Sequence, residues 1–512
     1  MAQRARCQVS NTQNGSARQT TLSPAKRALL EKLRRGDCGA TSKPETIGRR
    51  QAQDRIPLSY GQQRLWLVQQ CNPGSTAYNI SGAVRLCGRL NVEALERSLN
   101  EIAARHEILR TTLAVAGDQP FQVIAAARPL AFRKTDLRGL CPDSREKEAR
   151  NLALEEANRP FDLIKGPLFR AGLIQLDDQE HILLLSFHHV IFDGWSQNIL
   201  LRELGECYQA FSRGDAPNLP PLPIQYADYA IWQRSQDGAQ EAQLNYWKQQ
   251  LAGAPTSLDL PTDYPRPPKQ TFRGARRSLV LSDGLAESLK TLSQREGVTM
   301  FMLLLAAFKA LLYRYKGQCD LVVGSPVAGR SRTELENLIG FFVNMLVLRT
   351  KLAGDLSFRE LLQRVRETTL DAYANQDIPF DRLVQELNPA RDASRTPLFQ
   401  IVFMLQKAST DSLKLAGLDW IPLELYSSRA RFDLTLFMIE REPGLTATFI
   451  YNIELFKPET IDRMLQHLER LLDGIAANPD TRLDDLDILS VDEKLLLGKT
   501  ISVDVLDGGF AF

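Results

Sequence analysis

Residues 188–194 read His188-His189-Val190-Ile191-Phe192-Asp193-Gly194, and the reading of the fold begins there. Ile182 to Phe187, just before, is an apolar run of strand length. Beyond it, Ile199, Leu200, Leu204, Cys207, Tyr208 and Phe211 trace one face of a helix that Ser196 is placed to cap. The stretch His188 to Trp195 therefore lies on a strand-to-helix connection, where reactive groups are commonly held. The chain has 5 histidines, and the two adjacent ones stand at this strand end. Neighbouring side chains of an extended chain point to opposite faces, which assigns one histidine to chemistry and the other to packing. Taken alone, a histidine near an apolar strand is more often a packed core residue, which would make both of the pair structural. A zinc site is a weaker reading, because adjacent ligands on opposite faces lack chelating spacing and no CxxC accompanies them.

Outward from this loop, helix and strand patterns alternate. Asn91 caps a helix with Val92, Leu95, Leu99 and Ile102 inward, and Ile108 to Leu113 reads as a short strand. Proline-dense segments at 218–223 and 261–268 mark a crossing between two halves. In the second half Thr299 begins an apolar helix through Leu312, Leu321 to Val323 reads as a strand, and Gly324-Ser325-Pro326 as a turn out of it. Further helices are expected over Phe358 to Tyr373 and Pro458 to Ile475. Neither GxGxxG nor GxxxxGK[ST] occurs, which leaves nucleotide binding unsupported. The expected organisation is a disordered segment over 1–54 carrying a short helix at about 23–35, a first lobe over 55–225, a second over 226–490 and a linker over 491–512. The short helix has Ser23 as N-cap, Pro24 at its first position, Leu29, Leu30 and Leu33 as its apolar side and Gly36 as its stop, and is expected to be an appendage.

Composition narrows the class. With 512 residues, 44% hydrophobic and 24% charged, the chain holds two cores of ordinary size. Lys+Arg at 63 against Asp+Glu at 61 gives +2, and no basic run interleaves with aromatics, so nucleic acid is not an expected partner. The 7 cysteines are odd in number and widely spaced, against a disulfide framework and in keeping with a reducing, cytoplasmic setting. The longest apolar run, Met300 to Leu312 interrupted by Lys309, is too short to cross a bilayer and reads as a buried helix, so no membrane partner is expected.

The full string His188 to Gly194 is an HHxxxDG motif, the signature of acyltransferases that resemble chloramphenicol acetyltransferase. Around it the chain resembles condensation domains of nonribosomal peptide synthetases from about Leu58 to Leu497. Ser59-Tyr60-Gly61-Gln62-Gln63-Arg64-Leu65-Trp66 and Ala77-Tyr78-Asn79-Ile80 come first, then Arg105-His106-Glu107-Ile108-Leu109-Arg110-Thr111-Thr112. Tyr226-Ala227-Asp228-Tyr229-Ala230-Ile231-Trp232, Ile339-Gly340-Phe341-Phe342-Val343-Asn344, Asn375-Gln376-Asp377-Ile378-Pro379-Phe380 and the stretch Arg391 to Gln400 follow in the family's order. Any one of these arises by chance; the ordered set does not.

The resemblance implies an α/β fold of two chloramphenicol acetyltransferase-like lobes forming a V-shaped pseudodimer with a central tunnel. It implies His189 as the catalytic imidazole, whose ordinary pKa near ~6.5 suits it to accept or orient the proton of an attacking amine. His188 packs beside it, and Gly194 admits the substrates and offers its N–H as an oxyanion donor. Asp193 pairs with an arginine and holds the loop, Arg110 being the matching position. Asn344, Trp195 and Ser196 are tunnel-lining candidates. Trp66, Trp232, Phe341, Phe342 and Phe380 read as core aromatics, Arg105, Arg391 and Arg395 as structural ion-pair members, and Gly324 to Arg330 as a hinge near the tunnel. No bound cofactor or metal is implied, since substrates arrive as thioesters on the 4'-phosphopantetheine arms of donor and acceptor carrier proteins. Gly194-Trp195-Ser196 and Ala77 to Ile80 resemble the subtype that joins two L-residues. Phe192 departs from the small or polar residue common before the aspartate and is expected to narrow the tunnel; Met345 and Leu113 are further departures. Ile488 to Glu493 resembles the linker to an adenylation domain, so the chain is either a piece of a larger synthetase or a free-standing module. Two other classes stay open: a free-standing acyltransferase using a coenzyme A thioester, and a carrier-docking module without activity.

Overall fold

The structure is a computed structural model that describes residues 22–35, 46–51, 55–236, 238, 240–258, 260–390, 392–407, 417–423, 429–441 and 444–495. The expected disorder of the first twenty residues, Arg391 and most of the expected C-terminal linker lie outside these residues.

Two large hydrophobic cores divide the chain. The first lobe is built on a five-stranded sheet of order β12-β2-β7-β6-β5, comprising β2 (Asn79–Cys87), β5 (Arg133–Asp136), β6 (Phe169–Asp177), β7 (Glu180–His188) and β12 (Asp419–Leu423). A three-stranded sheet joins β1 (Ile56–Pro57), β3 (Thr111–Ala116) and β4 (Gln119–Ile124). Its helices are α2 (Tyr60–Cys71), α3 (Val92–Arg105), α4 (Pro142–Asn158), α5 (Gly194–Arg213) and α6 (Tyr226–Ser235). The second lobe has a six-stranded sheet of order β10-β9-β11-β13-β14-β8. These strands are β8 (Gly274–Leu281), β9 (Asp320–Val327), β10 (Asn344–Lys351), β11 (Ile401–Lys407), β13 (Leu434–Glu440) and β14 (Leu445–Asn452). Its helices are α7 (Glu241–Leu251), α8 (Asp283–Arg295), α9 (Met300–Lys316), α10 (Phe358–Ala374), α11 (Phe380–Leu387) and α12 (Pro458–Ala477).

Helix α9 shows how the second core is organised. Thr299 caps it, its side chain accepting from the Met302 N–H, and Gly317 ends it in the left-handed region at φ 71°. Every residue from Met302 to Leu312 is buried, including Lys309. The Lys309 ammonium donates to Leu348 O at 2.8 Å and Thr350 Oγ1 at 2.6 Å, and burial pulls its pKa down to about 7. Among the described residues no single helix is long and apolar enough to cross a membrane.

Several expectations change. The boundary at 225/226 falls inside the first core, because Tyr226 and Tyr229 of α6 pack there, whereas Leu244 of α7 packs in the second. The second half also gives segments back: β12 pairs with β2, and Leu335, Leu338, Ile339, Phe341 and Phe342 are buried in the first core. The stretch Gly324-Ser325-Pro326 is not a turn but the middle of β9, paired with β10 through Gly324↔Val347 and Pro326↔Met345. Glycine is required there because a Cβ on Gly324 would lie 2.3 Å from the Phe399 ring. Residues 107–110 form a 3₁₀ turn ahead of β3, so the expected strand starts late. The N-terminal helix α1 (Pro24–Arg35) is where the sequence places it, yet it is no appendage: Leu30 is buried in the second core and Lys26 pairs with Asp371 of α10 at 2.7 Å.

Candidate active site

Strand β7 ends at His188, residues 189–191 make one 3₁₀ turn, and α5 starts at Gly194. Asp193, not Ser196, is the N-cap, its side chain accepting from the Ser196 N–H at 2.8 Å. The turn sends the two histidines apart. His188 is 1% exposed, its Nδ1 accepts from the Val190 N–H at 3.1 Å, and its ring packs T-shaped on Phe161. Burial first, and then the Arg431 cation, bring its pKa down to about 3.

His189 lies on the wall of a cavity of about 1580 Å³ lined by both lobes. Its backbone N–H donates to Tyr78 O at 2.8 Å, and its Nδ1 is 2.6 Å from Phe192 O. A carbonyl only accepts, so Nδ1 carries the hydrogen and Nε2 keeps its lone pair. Burial, reinforced by Arg431, holds the imidazole well below its ordinary pKa, so it is neutral at neutral pH. The Phe341 ring meets it edge-on at 4.8 Å and Tyr78 lies at 6.4 Å.

Asp193 is fully buried and accepts four hydrogen bonds. Oδ1 takes Ser196 N, Ser196 Oγ at 2.7 Å and Arg330 Nη2 at 3.2 Å, and Oδ2 takes Phe342 N at 3.0 Å. The arginine partner is thus Arg330 rather than Arg110. Arg110 is held away from the loop at the 3₁₀ turn, where it donates to Ala125 O. Arg330 also donates to Leu335 O and Leu338 O and stacks over Phe342 at 4.1 Å. It sits just after Gly329, at φ 65°, where a Cβ would be 1.9 Å from Phe342 O. The motif aspartate therefore anchors the first-lobe loop to the segment arriving from the second half.

The tunnel-lining candidates divide. Trp195 does line the cavity, its Nε1 donating to Glu336 O at 3.2 Å. Ser196 does not, because it is buried between Asp193, Arg330 and the Gly340 backbone. Asn344 turns its side chain away as well. Its amide donates to Gln376 O and Ile378 O and accepts from Phe380 N at 2.8 Å, fixing the start of α11, while its neighbours Val343 and Met345 line the cavity. Gly194 lines the cavity and a Cβ there would meet nothing within 4 Å. Phe192 does not narrow the cavity as expected, since it stacks on Phe187 at 3.9 Å within the first core. Phe341 and Phe380, expected as core only, line the cavity too. Arg105 pairs with Glu203 at 3.2 Å and Arg395 with Asp392 at 3.5 Å.

Sequence reasoning placed Arg330 in a hinge but missed its pairing with Asp193, and missed Arg431 altogether. Arg330 had a signal, a charged residue closing an otherwise apolar, glycine-flanked strand end; Arg431, in Ser428-Arg429-Ala430-Arg431, had none. Tyr78 stood in a quoted motif without a role.

A family model described as the condensation domain matches residues 52–497. The chain belongs to the condensation-domain family. Condensation domains of nonribosomal peptide synthetases form amide bonds by acyl transfer. This one is 50% identical over 447 residues to one of the linear gramicidin synthase proteins of Brevibacillus parabrevis, covering 86% of this chain and 9% of that one. It is 43% identical to malpinin synthetase of Mortierella alpina, covering 88% of this chain and 6% of the synthetase. The chain thus spans less than a tenth of these relatives. Among solved structures, the X-domain from teicoplanin biosynthesis matches with TM-score 0.80 and 30% identity, covering 87% of this chain and all of that domain. A holo four-domain nonribosomal peptide synthetase bound to AMP and glycine matches with TM-score 0.79 and 25% identity, over 89% of this chain and 35% of that one.

Proposed function

We propose that the domain joins a donor acyl or peptidyl thioester to the amine of an acceptor aminoacyl thioester, both borne on phosphopantetheine arms of carrier proteins, and that the acceptor and donor residues are of L configuration. The observation that carries this reading is the tautomer of His189. With Nδ1–H spent on Phe192 O at 2.6 Å, the lone pair at Nε2 is the imidazole's free function on a cavity wall shared by two lobes.

The amine nitrogen adds to the thioester carbonyl carbon, and the carbonyl electron pair moves to oxygen. The nitrogen must lose a proton, which Nε2 accepts; collapse of the adduct restores the carbonyl and breaks the C–S bond, and the thiolate takes the proton from Nε2. A strongly depressed pKa makes His189 a weak base but keeps its lone pair available, so its part is to direct the proton and align the amine, with proximity supplying much of the rate. Gly194, without a side chain at the head of α5, leaves room for the reacting carbonyl. The V-shaped arrangement of the lobes and a passage open at two ends belong to the same reading, as do carrier partners and an adjoining adenylation domain. The resemblance of Gly194-Trp195-Ser196 and Ala77 to Ile80 supports the L,L subtype.

A second reading is favoured by one finding: the teicoplanin X-domain, which this chain resembles at TM-score 0.78 in a second structure, is there in complex with OxyB. Protein docking without chemistry would need no aligned imidazole. The deciding experiment mixes the domain with separately loaded donor and acceptor carriers and follows the amide by mass spectrometry, with coenzyme A esters as the alternative donor. Amide on the acceptor carrier, absent in His189→Ala at unchanged melting temperature, is the expected result. Full activity of His189→Ala, or product from coenzyme A esters alone, would count against it.

A further inference from the structure

Arg431 belongs to the second lobe, in the segment entering β13, yet its side chain ends on the first. Its Nε donates to Ala77 O at 3.2 Å, and its guanidinium carbon stands 5.1 Å from the centroid of the Tyr78 ring. The next carbonyl, Tyr78 O, is the one that accepts the His189 N–H at 2.8 Å. Arg431 and His189 line the same cavity.

Arg431 lines the cavity without an anion beside it among the described residues. Its two terminal nitrogens have no acceptor among the described residues, and no carboxylate lies within ion-pair distance of it there. The neighbouring cation, Arg64, by contrast, has Asp381 at 3.5 Å. Burial is the main cause lowering the Arg431 pKa, and Arg64 adds to it; only the Tyr78 side chain works the other way. Holding a half-buried cation on a cavity wall with no counter-ion costs free energy unless negative charge comes to it. A tetrahedral adduct supplies that charge, and donors fixed in advance at its position favour it over the substrate.

We propose that Arg431 is an oxyanion-binding residue: its terminal N–H groups hold the donor carbonyl oxygen on the side of the carbon facing the second lobe, with His189 serving the amine. This rests on the condensation reading. As the C–N bond forms, the carbonyl π pair becomes the oxyanion bound by Arg431; as the C–S bond breaks, that pair returns to the carbonyl and the guanidinium is unchanged. The two lobes thereby divide the work, the first moving the proton and the second holding the charge.

The test uses the full chain with Arg431→Gln and Arg431→Lys. Single-turnover rates with loaded carriers are expected to fall about 100-fold or more for Arg431→Gln, the loss typical of one oxyanion donor. Carrier affinity and melting temperature should be unchanged, and Arg431→Lys should retain at least about a tenth of the rate because a cation remains. A readout independent of turnover is the titration of His189 by nitrogen-labelled histidine NMR, assigned with His189→Asn. The charged or titratable groups acting on this ring are Arg431, His188 and Arg64, so Arg431→Gln should raise its titration point. Arg431→Gln within threefold of the parent, equal loss in both variants, or an unmoved His189 titration overturns the proposal. If the parent itself makes no amide, the condensation reading fails instead, while the NMR arm still reports whether the guanidinium acts at His189.

Discussion

Removing the Asp193 carboxylate strands Arg330, and the size of the effect can be worked from their surroundings. The two side chains are 0% and 2% exposed, so water does not replace the lost partner. Breaking a buried pair by deleting one member costs about 3–5 kcal/mol, because the remaining charge is left desolvated. Here Asp193→Ala also removes the acceptor of Phe342 N and the cap of α5, placing it at the upper end of that range. Arg330→Met keeps an apolar contact on the Phe342 ring and leaves Asp193 with three N–H or O–H donors, so it should cost less, about 3 kcal/mol. The double variant strands no charge, and should cost about 2–3 kcal/mol less than the sum of the singles. Urea unfolding of the parent, both singles and the double closes the cycle. Additivity within about 0.5 kcal/mol would mean that the pair is not coupled and that the loop is held by other contacts. Because the pair joins the motif loop to residues 330–342, each single should also lose condensation activity in excess of its unfolded fraction.

Gly194→Ala is expected to fold with the parent's stability to within about 0.5 kcal/mol, since a Cβ there would meet nothing within 4 Å, while condensation falls; comparing melting temperature with rate separates the two. Acid should destabilise the fold well above the carboxylate range. His106, His181, His188 and His189 all have lowered pKa values, so below ~6.5 the unfolded chain binds protons that the folded chain refuses, and stability falls with falling pH. For His188, whose folded value is about 3, the loss continues down to that pH and amounts to about 2 kcal/mol between pH 6.5 and 5. Urea midpoints that stay level from pH 7.5 to 5 would refute this.

The sequence was informative where local rules act. Capping residues such as Asn91 and Thr299, and the 3.6-residue spacing of apolar positions in α3 and α12, mark elements that tertiary contacts do not override. It was misleading where a long-range contact outweighs a local preference. Gly324 and Pro326 have the local chemistry of a turn, but strand β10 and the Phe399 ring decide their conformation. The site divides along the same line. His188 and His189 are separated by a turn encoded within seven residues, whereas the partner of Asp193 lies 137 residues away, beyond any local signal. Asn344 and Ser196 are polar residues close to the cavity in sequence position, but unmade backbone hydrogen bonds nearby claim their side chains.

Every group that positions His189 through the first lobe is backbone: Tyr78 O at its N–H and Phe192 O at its Nδ1. Of the side chains that approach it from beyond the motif loop, Phe341 at 4.8 Å and Arg431 across Tyr78 come from sequence belonging to the second half, and Tyr78 at 6.4 Å and Arg64 from the first. The first lobe thus aligns the imidazole, and the second completes its surroundings when Arg330 and Asp193 lock the connecting segment in place. A change in lobe angle would leave the tautomer of His189 intact while moving Arg431 and Phe341 relative to it. Substrate-dependent closure would accordingly act on charge stabilisation rather than on proton transfer, which predicts rates that respond to lobe-bridging substitutions without any shift in the histidine's hydrogen-bond pattern.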